Sequence, residues 1–411
     1  MWVRWRACRT SRCVGLVACV ASLAALPSRA SAFDAYDFYG NWPTHVVTGD
    51  GTDVGISALY QIDLNRFSHD EGRLQDALTN RRKYLGFYVR KQGVYDVNVQ
   101  YDYQARLWVD AFVRVRSKGL LGTDLGIFRF GYSKTPVGFE GVTSSAATTF
   151  IETALPTQAF WEGRRTGLDW AWARPSYLIN LGYYFVHKDL DGNNPGHSMA
   201  GRVAWVPINQ AGHVLHLGLS ASRETPEWRS GVSPVARLRA RPEDGLSAIR
   251  LVDTGSLPFT DHIDRRGVEA LWIEGPWSAQ GEYLDERIKR DGGRPKVEGH
   301  GYYVFATWTL TGESRYYSDG NVADRRYSGR NQAVIRPSQA WGAVELALRY
   351  SQIDLDDGAV LGGHEHNWTV GANWYLGEHL KFQANVIRAS TERRHVRVDP
   401  HIFEMRAQLS F

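Results

Sequence analysis

Residues 105–117 alternate Leu107, Val109, Ala111, Val113 and Val115 with Trp108, Asp110, Phe112, Arg114 and Arg116. A repeat of two is the side-chain period of a β-strand. A strand that is apolar on one face and charged on the other cannot line a dry core. It suits a wall with lipid on one side and water on the other. The last residues repeat the pattern: Phe403, Met405, Ala407, Leu409 and Phe411 oppose Glu404, Arg406, Gln408 and Ser410.

Sixteen such segments can be read along the chain: 55–67, 81–91, 94–103, 105–117, 124–134, 163–173, 176–187, 199–207, 212–223, 264–275, 277–287, 299–311, 341–355, 365–376, 379–391 and 400–411. Each is around ten residues, the length a tilted strand needs to cross a bilayer. An even count, long loops alternating with tight turns, and aromatic strand ends match an outer-membrane barrel better than a soluble sandwich or propeller. The fold expected is therefore all-β, a 16-stranded antiparallel transmembrane β-barrel over residues 55–411. The 15 Trp and 20 Tyr, in a chain of slightly hydrophilic average, fit that reading.

The start of the chain has a different character. Arg4, Arg6, Arg9 and Arg12 precede a short apolar run at 14–26, and Ala30-Ser31-Ala32 supplies a small-residue cleavage site. Residues 1–32 read as a signal peptide, since the run is too short to cross a bilayer as a helix. Residues 33–54 read as a short periplasmic lead-in. All three cysteines (Cys8, Cys13, Cys19) fall in the leader, so the mature chain offers no disulfide, thiolate site or cysteine nucleophile. Of 48 basic residues, five leave with the leader, so 43 remain to face 44 acidic ones. No overall attraction to nucleic acid or to anions follows, and any selectivity must come from local placement.

Residues 129–156 break the barrel pattern. Phe128, Phe130 and Tyr132 alternate with Arg129, Gly131 and Ser133; the alternation then stops at Lys134-Thr135-Pro136, and some twenty small, hydroxylated residues follow. A connection that long is expected to be functional. It reads as a loop that folds into the channel and narrows it.

The chain resembles the phosphate-selective porin O and P family of bacterial outer membranes. The likeness runs from about residue 58 to 411, and its most specific part is the loop's Thr143-Ser144-Ser145, Phe150-Ile151-Glu152 and Leu155-Pro156. It also rests on Leu64-Asn65-Arg66-Phe67, on residues 81–87 (RRKYLGF), Gln100-Tyr101-Asp102, Val252-Asp253-Thr254-Gly255, Gly281-Glu282-Tyr283, Asn373-Trp374-Tyr375 and Met405-Arg406. The resemblance implies a homotrimer in outer-membrane lipid, each barrel a pore for phosphate or other small anions, with the loop after the fifth strand as constriction. It also implies site residues. Arg81 and Arg82 match the family's paired wall arginines, Asp110 its constriction aspartate, and Ser144 and Ser145 its loop serines. Arg223, Arg237, Arg239 and Arg241 are candidates for its arginine ladder, and Arg114 and Arg116 for general lumen lining.

Four positions depart from the phosphate-selective members: Gly141 and Ala146 where they carry loop lysines, Thr153 for an arginine after the glutamate, and Leu59 for a first-strand arginine. A less selective porin, or one for another acidic solute, is the alternative. An outer-membrane barrel enzyme is a remote one, since there is no G-x-S-x-G turn and no His pairs recognisably with a Ser. No plug domain precedes the first strand, so an active transporter is not expected either.

Arginine suits oxyanions because its planar fork gives two parallel bonds, and serine hydroxyls donate without adding charge. Adjacent strand residues face opposite ways, so only one of Arg81 and Arg82 can point inward unless a bulge intervenes. His364-Glu365-His366 lacks an evident third ligand, and Asp189-Leu190-Asp191-Gly192-Asn193 lacks the distal glutamate of a calcium loop. No metal and no cofactor is expected.

Overall fold

The computed structural model describes residues 45–186, 195–318, 332–377 and 379–411. The expected leader 1–32, the lead-in up to residue 44 and the 189–193 stretch lie outside the described residues.

Sixteen long strands form one closed antiparallel barrel: β1 (Thr52–Ser68), β2 (Ala77–Lys91), β3 (Tyr95–Asp102), β4 (Leu107–Arg116), β5 (Ile127–Lys134), β6 (Arg164–Arg174), β7 (Tyr177–Val186), β8 (Gly196–Gln210), β9 (His213–Pro226), β10 (Thr260–Glu274), β11 (Trp277–Arg290), β12 (Val297–Thr309), β13 (Ala343–Asp357), β14 (Val360–Leu376), β15 (Leu380–Arg393) and β16 (His401–Ser410). Each pairs with the next, and β16 returns to β1 from Leu59↔Ser410 to Ser68↔His401. Closure leaves no open edge, which is what a sheet in lipid requires. Each of the sixteen expected segments is one of these strands. The short strand His45–Val47 folds back on β1, which places part of the lead-in on the wall.

The wall follows the alternation. In β1, Ile56, Tyr60 and Ile62 are exposed outward while Gln61, Asp63 and Asn65 are fully buried inside. Trp205, Trp277, Trp308 and Trp374 stand exposed toward one rim, with the Trp277 and Trp308 rings stacked at 5.0 Å. Such aromatic girdles mark a membrane–water interface. His364 and His366 also face outward, and Glu365 between them turns in.

Two bulges alter the reading. Gln61 pairs with Arg82 and Ile62 with Asn80, leaving Arg81 as an extra residue in β2. Gln100 pairs with Asp110 and Tyr101 with Trp108, leaving Val109 extra in β4. The second slip reverses the faces below it: Trp108, expected in the lumen, stands 46% exposed on the outside, and Val109 is buried.

The lumen is filled by chain. Residues 135–163, between β5 and β6, turn inward as expected and carry two short helices, α1 (Phe139–Val142) and α2 (Leu155–Phe160). Residues 227–259, between β9 and β10, fold in beside them. Leu155 and Phe160 of α2 meet Ala236, Leu238, Ala240 and Val252 of the second loop in one apolar cluster. The cluster seats on Ile263, Leu284, Ile288, Val297, Ile353 and Leu355 of the inner wall. Burying each large side chain contributes about 1.5–3 kcal/mol, enough to fix both loops against one side of the barrel. At the opposite rim a hairpin, Arg315–Ser318 with Gln332–Ile335, also enters the lumen; the sequence reading did not anticipate it. Its Arg315 bonds Glu345 at 2.8 Å and the loop's Thr149 at 2.6 Å.

Candidate functional site

The inward loop is fastened to the wall through its backbone, and this is what makes the constriction rigid. On β15, Lys381 donates to the carbonyls of Ala146 (3.1 Å) and Thr148 (3.0 Å), and Gln383 to that of Thr149 (3.0 Å). Gln61 and Gln408 hold the carbonyls of Ser145 and Ala146. Lys134 Nζ donates to those of Gly141 and Thr143 and lies 5.1 Å from the Trp161 ring centre. From the other direction, the Glu282 carboxylate accepts from the amides of Phe139 and Glu140 at the start of α1. A buried backbone polar group must find a partner, and here the wall supplies it.

Between the two loops and the wall lies a cavity of about 440 Å³. Among the described residues, eight basic side chains line it: Arg81, Arg82, Lys134, Arg164, Arg237, Arg239, Arg241 and Arg250. Two carboxylates, Glu140 and Glu152, line it with them. The bulge at Arg81 is the device that brings both wall arginines inside. Arg81 Nε and Nη2 reach the two Glu152 oxygens at 2.8 and 3.3 Å. Arg82 Nη1 bonds Gln61 Oε1 at 2.7 Å and stands 3.8 Å from Glu152. Arg406 adds a third cation to Glu152, at 3.1 Å. Burial alone would raise the Glu152 carboxyl, but these three arginines overcome it and hold the group ionised, well below the usual carboxylate range.

The second loop presents its arginines by a strand-like alternation. Arg237 and Arg239 open into the cavity while Leu238 and Ala240 turn back into the apolar cluster. Arg237 is paired through Nε with Asp253 Oδ1 at 2.7 Å. Arg241 donates to the Ser247 carbonyl at 2.6 Å. Arg250 points a buried Nη1 that has no hydrogen-bond partner among the described residues. Asp244, beside Arg241, is pushed up by burial to about 6.

The remaining expected residues divide. Asp110 sits one step behind the cavity, bonded to Arg164 Nε at 3.3 Å. Ser145 lines the cavity, whereas the Ser144 hydroxyl is turned to the Ala146 amide at 3.3 Å. Arg114 and Arg116 are in the lumen but outside the cavity, both on Asp96 at 2.8 Å. Arg223 is a correction: it faces outward, 61% exposed at its side chain, and pairs with Asp264 at 2.6 Å. Its position in β9 shares a face with Leu217 and Leu219, so strand parity excludes it from the lumen. Leu59 does face inward, buried. Sequence reading missed Lys134, Arg164 and Arg250 as lining residues. The first two end and begin the strands flanking the long loop, a position that could have pointed to them. Arg250 carries no such signal.

No described group of three or more His, Asp or Glu side chains could hold a metal ion. The arrangement suits reversible binding of an anion in transit, since the donors are cationic, converge, and are set in a low-dielectric wall.

The family model of phosphate-selective porin O and P matches residues 53–411. The chain is 25% identical to Porin O of Pseudomonas aeruginosa over 381 residues, 82% of this chain and 83% of that protein. Among solved structures, OmpT of Vibrio cholerae aligns with a TM-score of 0.58 at 10% identity, covering 89% of this chain and 99% of that one. An anion-selective porin from Comamonas acidovorans aligns at 0.52 and 11% identity, covering 88% and 100%. These structural likenesses speak to the fold.

Proposed function

We infer the function from one premise: this chain belongs to the phosphate-selective porin O and P family. It is a porin of the bacterial outer membrane, an anion-selective channel rather than an enzyme. The permeant ion we propose is phosphate or a short polyphosphate, passing by diffusion. The observation that carries this is the set of eight basic residues around one 440 Å³ cavity at the narrowing of the lumen. A multiply charged oxyanion gains two parallel bonds from each arginine fork, which chloride cannot. The site residues proposed are Arg81, Arg82 and Ser145 at the wall and first loop, with Arg237, Arg239, Arg241 and Arg250 forming the approach. Asp110 orients Arg164 and tempers its charge. A homotrimer in outer-membrane lipid and a cleaved leader at 1–32 complete the proposal.

A second reading, an anion porin without phosphate preference, is favoured by Gly141, Ala146 and Thr153, which place no cation on the first loop. Single-channel conductance in a planar bilayer separates the two. Chloride current blocked by phosphate at or below about a millimolar indicates a phosphate site. Anion-selective current without block indicates the broader channel, and a cation-selective pore overturns both.

A further inference from the structure

We propose that Glu152 is a tethered competitor of the permeant oxyanion: its carboxylate occupies the Arg81 fork, and an anion binds there by displacing it. This rests on the anion-channel reading above and deepens it. The two bonds from Arg81 Nε and Nη2 to the two oxygens of Glu152, at 2.8 and 3.3 Å, form the fork-to-oxyanion geometry in which arginine takes phosphate or sulfate. The carboxylate therefore stands in for one edge of the permeant ion. Arg406 at 3.1 Å and Arg82 at 3.8 Å complete the group of donors that an incoming anion would inherit.

The backbone of the tether is fixed, so displacement of the carboxylate is left to its side chain. The Glu152 carbonyl accepts from Arg349 Nη1 at 3.0 Å, and the Ile151 carbonyl from Arg406 Nη1 at 2.6 Å. Release of the carboxylate thus needs side-chain rotation, not movement of the loop. A second, independent feature is shaped around the same pair. A Cβ at Gly245 would stand 2.5 Å from Glu152 Oε1 and 2.8 Å from Arg81 Nε, so the second loop leaves out a side chain where it passes them.

The competition sets affinity by occupancy. If the carboxylate holds the fork about nine-tenths of the time, the apparent affinity for the anion drops about tenfold below its intrinsic value. Such a discount keeps a strongly cationic site from trapping its ion, the condition for conduction.

Glu152→Gln keeps the shape and removes the charge. With chloride carrying the current, its half-blocking phosphate concentration is expected to fall about tenfold relative to the unsubstituted channel, with longer blocked intervals. Glu152→Asp, which withdraws the carboxylate by one methylene, should fall between the two. Block in Glu152→Gln but not in the unsubstituted channel supports the competitor while overturning phosphate preference of the native pore. An equal or higher half-block in Glu152→Gln, or block in neither protein, overturns the competitor. Should Glu152→Gln not fold into a barrel, Glu152→Asp decides alone: block no stronger than in the unsubstituted channel overturns the proposal.

Discussion

Arg406 of the last strand grips Asp63 of the first across the barrel seam, Nε to Oδ1 at 2.7 Å and Nη2 to Oδ2 at 2.6 Å, with both side chains fully buried. The same guanidinium holds the Ile151 carbonyl of the inward loop at 2.6 Å. One residue thus joins the two ends of the wall and clamps the constriction to the join.

Removing it leaves Asp63 buried without its partner, which costs about 3–5 kcal/mol. Arg406→Ala is expected to lower the urea midpoint of the folded barrel and to make the open-channel current noisier, because the loop loses an anchor. Equilibrium unfolding in detergent and single-channel recording check the two effects separately.

Arg239 faces the cavity and makes no side-chain ion pair among the described residues. Arg239→Ala should therefore leave stability unchanged and weaken anion preference. Removing a unit charge at a separation on the order of 6 Å is worth roughly 0.7 kcal/mol in water, or about a threefold change in the anion-to-cation permeability ratio. Reversal potentials under a salt gradient read this directly. By contrast Arg114→Ala, which strips Asp96 of a buried partner, should destabilise the barrel and leave the ratio largely unchanged.

Asp244 titrates at about 6 because burial disfavours its charged form. As pH falls from 7 to 5 it takes up a proton, and the cavity-lining Arg241 loses the negative charge beside it. Anion selectivity at low salt should rise with a midpoint near pH 6, and Asp244→Asn should remove that step. The linkage runs the same way for stability. Folding binds this proton more tightly than the unfolded chain does, so the contribution is present at low pH and is lost as pH rises through about 6.

Gly141 is packed against an aromatic wall: a Cβ there would lie 2.5 Å from the Trp161 ring. Gly141→Lys is thus expected to displace Trp161 and its neighbour Lys134 rather than to add a useful cation. The cost is about 1–3 kcal/mol from overpacking. Chloride conductance should change while phosphate block does not strengthen, as titration in the bilayer would show.

The strands were legible because lipid and water read the two faces of each one oppositely, and a repeat of two survives in sequence. The bulges were not, since one extra residue at Arg81 or Val109 leaves composition untouched while reversing what lies beyond it. Arg82 could be placed inside from parity alone; having Arg81 there as well needed the bulge. The inner apolar patch from Ile263 to Leu355 was hidden for another reason. Its residues look like lipid-facing ones until the two loops that cover them are known. Arg223 failed as a lumen candidate because motif resemblance ranked it with the loop arginines, whereas strand parity ties it to Leu217 and Leu219.

The run from Arg237 to Arg241 has two sides with separate duties. Leu238 and Ala240 hold the segment in place, and Arg239 between them is turned to the cavity and makes no side-chain ion pair among the described residues. Arg239 can accordingly be rewritten, to lysine, glutamine or even glutamate, without loosening the loop that carries it, whereas Arg237 and Arg241 also tie that loop together through Asp253 and the Ser247 carbonyl. A barrel built this way can change the ion it admits faster than it changes its shape, and relatives with one architecture can come to serve quite different solutes.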